Sequence, residues 1–147
     1  MVIDDSGSMQ TEDGHVLMGS GRLSRSVSCS RWTELGAAIK FHANLAFSAR
    51  TPTEFRFLNR GTPLLLGAAG DEGERARLQQ INTFLSQSPS GGTPLCRHID
   101  EVVAKVRQLE PMLRQAGQRA VIVIFTVRAA LSFAHSSLSV FIIVIVL

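Results

Sequence analysis

Apolar residues recur along this chain with helical spacing in three segments, and each segment predicts an amphipathic helix. The first helix is predicted over residues 33–49 with Thr33 as its N-cap, and the second over residues 74–87. The third is predicted over residues 95–110, where Pro111 should end or kink it. The apolar stripes consist of Trp32, Leu35, Ile39, His42 and Ala46 in the first helix, Leu78, Ile81, Phe84 and Leu85 in the second, and Ile99, Val102, Val103, Val106 and Leu109 in the third.

Other apolar segments are typical of strands. Residues 2–4 resemble a strand end, and residues 53–58 alternate weakly before a turn at residues 59–61. Residues 120–125 form a continuous apolar run rich in β-branched side chains, as in a strand covered on both faces. Between these segments, residues 10–30 are polar and rich in Gly and Ser, which predicts a surface loop or an insertion, and residues 61–73 form a Gly-rich connection.

The order of these elements predicts the fold class. Strands alternate with helices, which is typical of an α/β protein with a parallel sheet and helices on both faces. The chain has 147 residues, the size of one domain. In parallel sheets the ligand site lies at the carboxyl ends of the strands, so the segment after the first strand is the place to expect one.

That segment carries the pattern D-x-S-x-S, made by Asp4, Ser6 and Ser8. It presents a carboxylate and two hydroxyls, and these hard oxygen ligands suit Mg²⁺ or Ca²⁺. Taken alone the pattern is weak, because Asp and Ser after a strand are also common turn and cap residues.

The wider sequence context resembles a von Willebrand factor A (vWA) domain. Four segments carry the resemblance in family order, VIDDSGSM, RWTEL, FLNR and PSGGTPL, and it covers about residues 1–126. The resemblance implies a Rossmann-like, three-layer α/β/α sandwich with a mostly parallel sheet. It also implies non-catalytic binding of a protein partner through a metal-ion-dependent adhesion site.

The family resemblance implies roles for four residues of this chain. Ser6 and Ser8 would ligate the metal directly, and Thr93 would do so directly or through water. Asp4 would hold the ion through water and the serines by hydrogen bonds. Neutral hydroxyl ligands leave the charge of Mg²⁺ (or Ca²⁺ or Mn²⁺) under-compensated, so an acidic side chain on the partner would complete the shell. Asp5, at a free position of the motif, is expected to be a solvated carboxylate, and a role in supporting the metal ligands without contacting the ion stays open.

The chain departs from the family pattern after residues 121–126. The family has Asp-Gly there, whereas this chain has Val127 and Arg128. Valine cannot bind a metal and arginine would repel Mg²⁺, so metal binding is expected to be weak or absent. The remaining family elements, two strands and two helices, are missing as well.

Residues 127–147 are predicted as a hydrophobic tail separate from the partial domain of residues 1–126. Residues 129–147 contain no Asp, Glu, Lys or Arg. Three interpretations stay open, namely a C-terminal membrane anchor, a buried strand that replaces a missing one, and sequence from outside the domain. The functional alternative is therefore a truncated or tail-anchored, membrane-associated fragment without metal-dependent activity.

Other function classes receive little support from the sequence. The net charge of +3, without Tyr and with one Trp, argues against a nucleic-acid interface. No G-x-S-x-G pattern or P-loop indicates an enzyme. The two cysteines, Cys29 and Cys96, form no metal-binding pattern, and no signal peptide is recognised, so a cytoplasmic location is the default expectation.

Overall fold

A computed structural model describes residues 1–19, 24–68 and 72–127, together with the backbone of residues 140–146. It contains three α-helices, one short 3₁₀ helix and seven strands within these ranges. The strands are β1 (Val2–Ile3), β2 (Gly14–Met18), β3 (Arg25–Cys29), β4 (Thr53–Phe57), β5 (Leu64–Leu66), β6 (Val121–Val127) and β7 (Val140–Val146). The helices are α1 (Arg31–Ala49), α2 (Glu74–Ser86) and α3 (Leu95–Gln115), with the 3₁₀ helix at Gly7–Gln10.

The main sheet has five strands in the order β5-β4-β1-β6-β7. β1 lies at its centre and pairs in parallel with both β4 and β6. The edge strands β5 and β7 run antiparallel to their neighbours. The predicted α/β class and the parallel centre of the sheet are therefore confirmed.

Neighbouring residues of β1 enter two different hydrophobic clusters because successive side chains of a strand point to opposite faces. Ile3 packs in one cluster with Leu35 and Ile39 of α1. Val2 packs in the other, which the partly buried side chains of α3 cover. The central strand is thus buried on both sides, which explains its uninterrupted apolar sequence.

Helix α1 begins two residues earlier than predicted, and its N-cap is Ser30 rather than Thr33. The Ser30 hydroxyl accepts a hydrogen bond from the backbone N–H of Thr33 at 3.2 Å, as an N-cap side chain does. The predicted stripe is otherwise confirmed, since Trp32, Leu35, Ile39 and Ala46 are buried.

The loop predicted over residues 10–30 is wrong, because β2 and β3 form an antiparallel hairpin there, and the alternative of an insertion stays a prediction. Its side chains are mostly exposed, so no apolar alternation reveals the strands in the sequence. The hairpin lies against α1, where a Cβ on Gly14 would stand 2.8 Å from the carbonyl oxygen of Ser30.

Two further boundaries differ from the sequence prediction. The Gly-rich connection contains β5, a strand of only three residues. Helix α3 continues through Pro111 to Gln115. Proline removes one N–H from the helix, but residues 107–112 are exposed, so water can bond the carbonyl group that loses its partner.

Of the predicted tail, Val127 belongs to β6 and residues 140–146 form β7, which pairs with β6 along all seven residues from Val121–Val146 to Val127–Val140. Of the three interpretations of the tail, this arrangement favours the additional strand. Residues 128–139 and 147 lie outside the described residues. Within the described ranges, no helix has both the length and the apolar character needed to cross a membrane.

Candidate metal site

Three segments meet at the carboxyl edge of the parallel strands. The register places Ile3 of β1 beside Phe57 of β4 and Phe125 of β6, so the residues that follow them lie at one edge. This edge carries the D-x-S-x-S loop after β1, residues 58–60 after β4, and Thr126 near the end of β6. The structure therefore places the motif where the strand-end rule predicts a ligand site.

Asp4 is buried, with 2% of its surface exposed, and among the described residues its carboxylate accepts hydrogen bonds from neutral groups only. Its Oδ1 accepts the backbone N–H of Ser6 at 3.0 Å, and its Oδ2 accepts the hydroxyl of Thr126 at 2.8 Å. No ion pair among the described residues involves Asp4. A buried charge without a counter-charge is costly, which makes this carboxylate a natural partner for a cation.

Ser6 and Ser8 lie beside this carboxylate and contact each other. Their hydroxyl oxygens are 3.0 Å apart, Ser6 being buried and Ser8 exposed. The 3₁₀ helix begins directly after Ser6 and inserts the fully buried side chain of Met9 into the core. This anchor restrains the short loop that carries the two hydroxyls.

The segment that carries Thr93 lies against the same loop. Two backbone hydrogen bonds join them, from Gly7 N to Gly91 O at 3.1 Å and from Ser90 N to Asp5 O at 2.9 Å. Thr93 itself is exposed and lies two residues before α3, whose N-cap is Pro94. The structure thus brings the loops of the four predicted ligands, Asp4, Ser6, Ser8 and Thr93, together.

Asp5 is not the solvated carboxylate that the sequence interpretation expected, because it is completely buried. Its Oδ1 accepts two N–H groups of Asn59, from the backbone at 2.9 Å and from the side-chain amide at 3.0 Å. The Nε of Arg60 lies 3.1 Å from Oδ2, as an ion pair outside the angular range of a hydrogen bond. These partners come from a segment more than 50 residues away. The usual expectation that an aspartate is exposed takes no account of such distant partners.

Thr126, Asn59 and Arg60 are site residues that sequence reasoning did not single out. Asn59 and Arg60 belong to the FLNR segment, so the resemblance contained a signal for them without indicating a role. Thr126 follows the apolar run, and its hydroxyl is the one polar side-chain group in the sequence of β6. Their common property is that each binds a carboxylate of the D-x-S-x-S loop.

An open pocket of about 720 Å³ adjoins the Thr93 side of the site. None of its lining residues is acidic, and they comprise residues 57–61 and 92–94 together with Arg97 and His98. The Arg97 side chain is 67% exposed, and its nearest carboxylate oxygen belongs to Glu101 at 3.8 Å. The surface beside the candidate ligands is therefore suited to an anionic group.

The chemistry of this donor set fits a hard divalent cation. It combines one buried, uncompensated carboxylate with hydroxyl oxygens, which are ligands that Mg²⁺ and Ca²⁺ accept. Within the part of the chain that the structure describes, no three or more His, Cys, Asp and Glu side chains cluster in a metal-binding arrangement. An ion at this edge would therefore depend on Ser6, Ser8 and Thr93 for most of its protein ligands.

Comparison of this chain with models of protein families, with curated proteins and with solved structures found no match.

Proposed function

We propose that this chain is a vWA-like domain that binds a protein partner through a divalent metal ion and catalyses no reaction. In this proposal its α/β fold is a Rossmann-like, three-layer sandwich, with α1 and α2 covering one face of the sheet and α3 the other. The two hydrophobic clusters on opposite sides of β1 support this arrangement.

The observation that carries the proposal is the buried carboxylate of Asp4, which within the described part of the chain accepts hydrogen bonds only from neutral donors. Ser6, Ser8 and Thr93 would hold Mg²⁺ (or Ca²⁺ or Mn²⁺), and Asp4 would offset part of its charge. A bound ion would supply a coordination position for a carboxylate of the partner. Because hydroxyl ligands are neutral, that acidic side chain would interact with an ion whose charge is still incompletely balanced.

The surroundings of Thr93 support an acidic partner as well. The pocket beside it has cationic and neutral lining residues, and Arg97 at its wall is largely exposed. Charge complementarity of this kind accelerates association and discriminates between partners more than it raises affinity. The partner that fits is therefore a protein surface with an exposed Asp or Glu.

Metal binding is tested by thermal unfolding with Mg²⁺ and then with EDTA. Saturating Mg²⁺ should stabilise the fold by about 1 kcal/mol, the low end of the ~1–3 kcal/mol that mass action gives, because the Asp of the family pattern is replaced by Val127. Ser6→Ala with Ser8→Ala should abolish the shift, whereas Ser26→Ala with Ser28→Ala, a matched pair on the exposed hairpin, should keep it. A shift that survives the first double variant would place the ion elsewhere.

Partner binding is tested with an array of peptides that each contain one Asp or Glu, paired with the Asn or Gln counterpart. The proposal predicts Mg²⁺-dependent binding of acidic peptides that EDTA removes and that the amide counterparts lack. Equal binding of both sets, or binding that resists EDTA, would contradict metal-mediated recognition.

A further inference from the structure

We propose that Asp5 is the positioning residue of the candidate metal site, because its buried carboxylate fixes the loops that carry the ligands without itself binding the ion. The inference rests on the proposed metal-binding function. It assigns different tasks to two consecutive carboxylates, Asp4 facing the ion and Asp5 facing away from it into the protein.

The surroundings of the two side chains support this division. Asp4 receives a backbone N–H and a hydroxyl, so its charge remains to be balanced. Asp5 receives two N–H groups of Asn59 and lies beside the guanidinium of Arg60, which is itself only 12% exposed. A carboxylate already neutralised by a largely buried arginine has little charge left to offer a metal ion.

One branch of contacts leads from Asp5 to the Thr93 segment. The side-chain amide of Asn59 donates one hydrogen to Asp5 Oδ1 at 3.0 Å and the other to the carbonyl of Gly92 at 2.9 Å. The preceding residue, Gly91, has a φ of 90°, and a Cβ there would stand 2.6 Å from Asn59 Oδ1. The segment before Thr93 is therefore packed directly on the amide that Asp5 orients.

A second branch leads from Asp5 through Arg60 to the end of α2. Arg60 donates to the carbonyl of Phe84 through Nη1 and to that of Ser88 through Nη2, the latter at 2.6 Å. Its guanidinium carbon lies 5.4 Å from the centre of the Trp32 ring. Arg60 thereby holds the start of the segment that continues to Thr93.

The backbone of Asp5 also contacts the segment after α2 directly, since its carbonyl accepts the N–H of Ser90 at 2.9 Å. One residue thus contacts the segment after β4 directly, and the segment after α2 both directly and through Asn59 and Arg60. Loss of its charge would leave the Arg60 guanidinium without its counter-charge and would weaken the acceptor of the two Asn59 N–H groups. The loops would then be free to move apart although every candidate ligand is still present.

The test compares Asp5→Asn, which keeps the shape of the side chain, with Asp13→Asn, which removes another arginine-paired carboxylate at the hairpin. Amide hydrogen exchange of Ser90 and Gly7 reports the loop contacts, and Mg²⁺ titration of folded protein reports the site. Asp5→Asn should accelerate exchange at both amides at least tenfold and weaken Mg²⁺ binding at least tenfold. Asp13→Asn should leave Mg²⁺ binding unchanged and accelerate exchange at these amides by less than tenfold.

A second variant covers the case in which Asp5→Asn does not fold. Asn59→Ala keeps the pair of Asp5 and Arg60 but cuts the contact to Gly92, so it should accelerate exchange in the 90–93 segment and weaken Mg²⁺ binding with a smaller effect on thermal stability. Arg60→Lys keeps the positive charge but lacks the several N–H donors of the guanidinium, so it should retain part of the affinity for Mg²⁺.

The results separate this inference from the proposed function. If the unaltered chain and its Val127→Asp, Arg128→Gly variant both fail to bind Mg²⁺, the proposed function fails, and a metal-positioning role for Asp5 fails with it. If Mg²⁺ binds and folded Asp5→Asn keeps the full affinity, only the positioning role is overturned. Unchanged exchange at Ser90 and Gly7 in Asp5→Asn would overturn it independently of any metal.

Discussion

Asp4 and Asp5 follow each other at the end of β1, and both are buried. Their electrostatic surroundings differ, because Asp5 lies beside the guanidinium of Arg60 whereas the hydrogen-bond donors to Asp4 are neutral. Inside a protein, removal of one partner of an ion pair leaves an uncompensated charge, whereas removal of a charge that has no partner relieves a cost. Substitution by the isosteric asparagine should therefore act with opposite sign at the two positions.

Asp4→Asn should leave the free energy of unfolding in EDTA unchanged or raise it by about 1 kcal/mol, because an unpaired buried charge disappears. The Ser6 N–H keeps its acceptor, and the Thr126 hydroxyl can rotate to accept from the new amide. The variant should gain nothing from Mg²⁺. Urea denaturation in EDTA and in Mg²⁺ measures both effects, and a large destabilisation in EDTA would show that the protein already balances the Asp4 charge.

Alanine substitutions at two glycines, Gly67 and Gly36, should change the free energy of unfolding in opposite directions. Gly67 has a φ of 79°, and a Cβ there would lie 2.8 Å from the Ala46 carbonyl oxygen and closer still to that of Thr51. Gly36 lies in α1 with open space around its missing Cβ. Gly67→Ala should therefore lower the free energy of unfolding by about 2 kcal/mol or more, and Gly36→Ala should raise it by about 0.5–1 kcal/mol.

Chemical denaturation of both alanine variants under one set of conditions gives this comparison. A neutral Gly67→Ala would mean that the turn after β5 adopts another conformation in solution. A destabilising Gly36→Ala would mean that α1 packs more closely at that point than the structure indicates.

At the scale of elements, the β2–β3 hairpin is attached to the start of α1 by a two-pronged ion pair. Arg31 Nε and Nη2 each lie 2.6 Å from a carboxylate oxygen of Asp13. The hydrogen bonds from Arg31 hold the pKa of Asp13 below its ordinary value. Since the folded pKa is lowered, this contribution to stability is present above the ordinary value and is lost as the pH falls through the lowered one.

Asp13→Asn should consequently lower the free energy of unfolding at pH 7 by about 0.5–1 kcal/mol, a modest amount because the pair is partly solvated. The difference from the unaltered chain should shrink when the pH falls below 3.8, the ordinary pKa of the carboxyl group. Urea denaturation over a series of acidic pH values measures it. A difference that stays constant at all pH values would contradict the ion pair as its cause.

Helices and strands could be predicted where the burial of one face leaves a periodic apolar pattern in the sequence. Helix α1 buries one continuous face, so its stripe is visible in the sequence and its end at residue 49 agrees with the structure. The hairpin strands bury few side chains, and β5 is three residues long, so neither leaves a periodic pattern. The N-cap was misplaced because Ser30 and Thr33 are both suitable capping residues, and only the backbone conformation distinguishes them.

At the scale of the whole molecule, β7 forms one edge of the main sheet, so that β6 is paired on both sides. It pairs with every residue of β6, whose other side pairs with β1. Without β7, β6 would present a seven-residue apolar edge with unpaired backbone groups, which is a template for association with other chains.

A variant that ends at Val127 should accordingly be less stable and more prone to aggregate than the full chain. Light scattering during urea unfolding, together with gel filtration of the native samples, measures both properties. Replacing only Phe141 and Ile143 by threonine keeps the length of the strand and serves as the control. A shortened chain that is monomeric and equally stable would show that β7 contributes no essential pairing.

The site was predictable only as far as its chemistry lies within one short segment. The D-x-S-x-S pattern after an apolar strand placed Asp4, Ser6 and Ser8 correctly at the sheet edge. The partners of the two aspartates were not predictable, because Asn59, Arg60 and Thr126 reach them through the parallel pairing of distant strands. The burial of Asp5 is a property of that pairing rather than of its local sequence.

Calorimetric titration with Mg²⁺ of the chain and of its Val127→Asp, Arg128→Gly variant tests the central claim most directly. The substitutions add a carboxylate directly after Thr126 and remove a cation, so the variant should bind one Mg²⁺ at least tenfold more tightly than the chain itself. Adding Ser6→Ala and Ser8→Ala should abolish binding in both backgrounds. Equal affinity of the two proteins, or binding that survives loss of both serine hydroxyls, would contradict a metal site at this edge of the sheet.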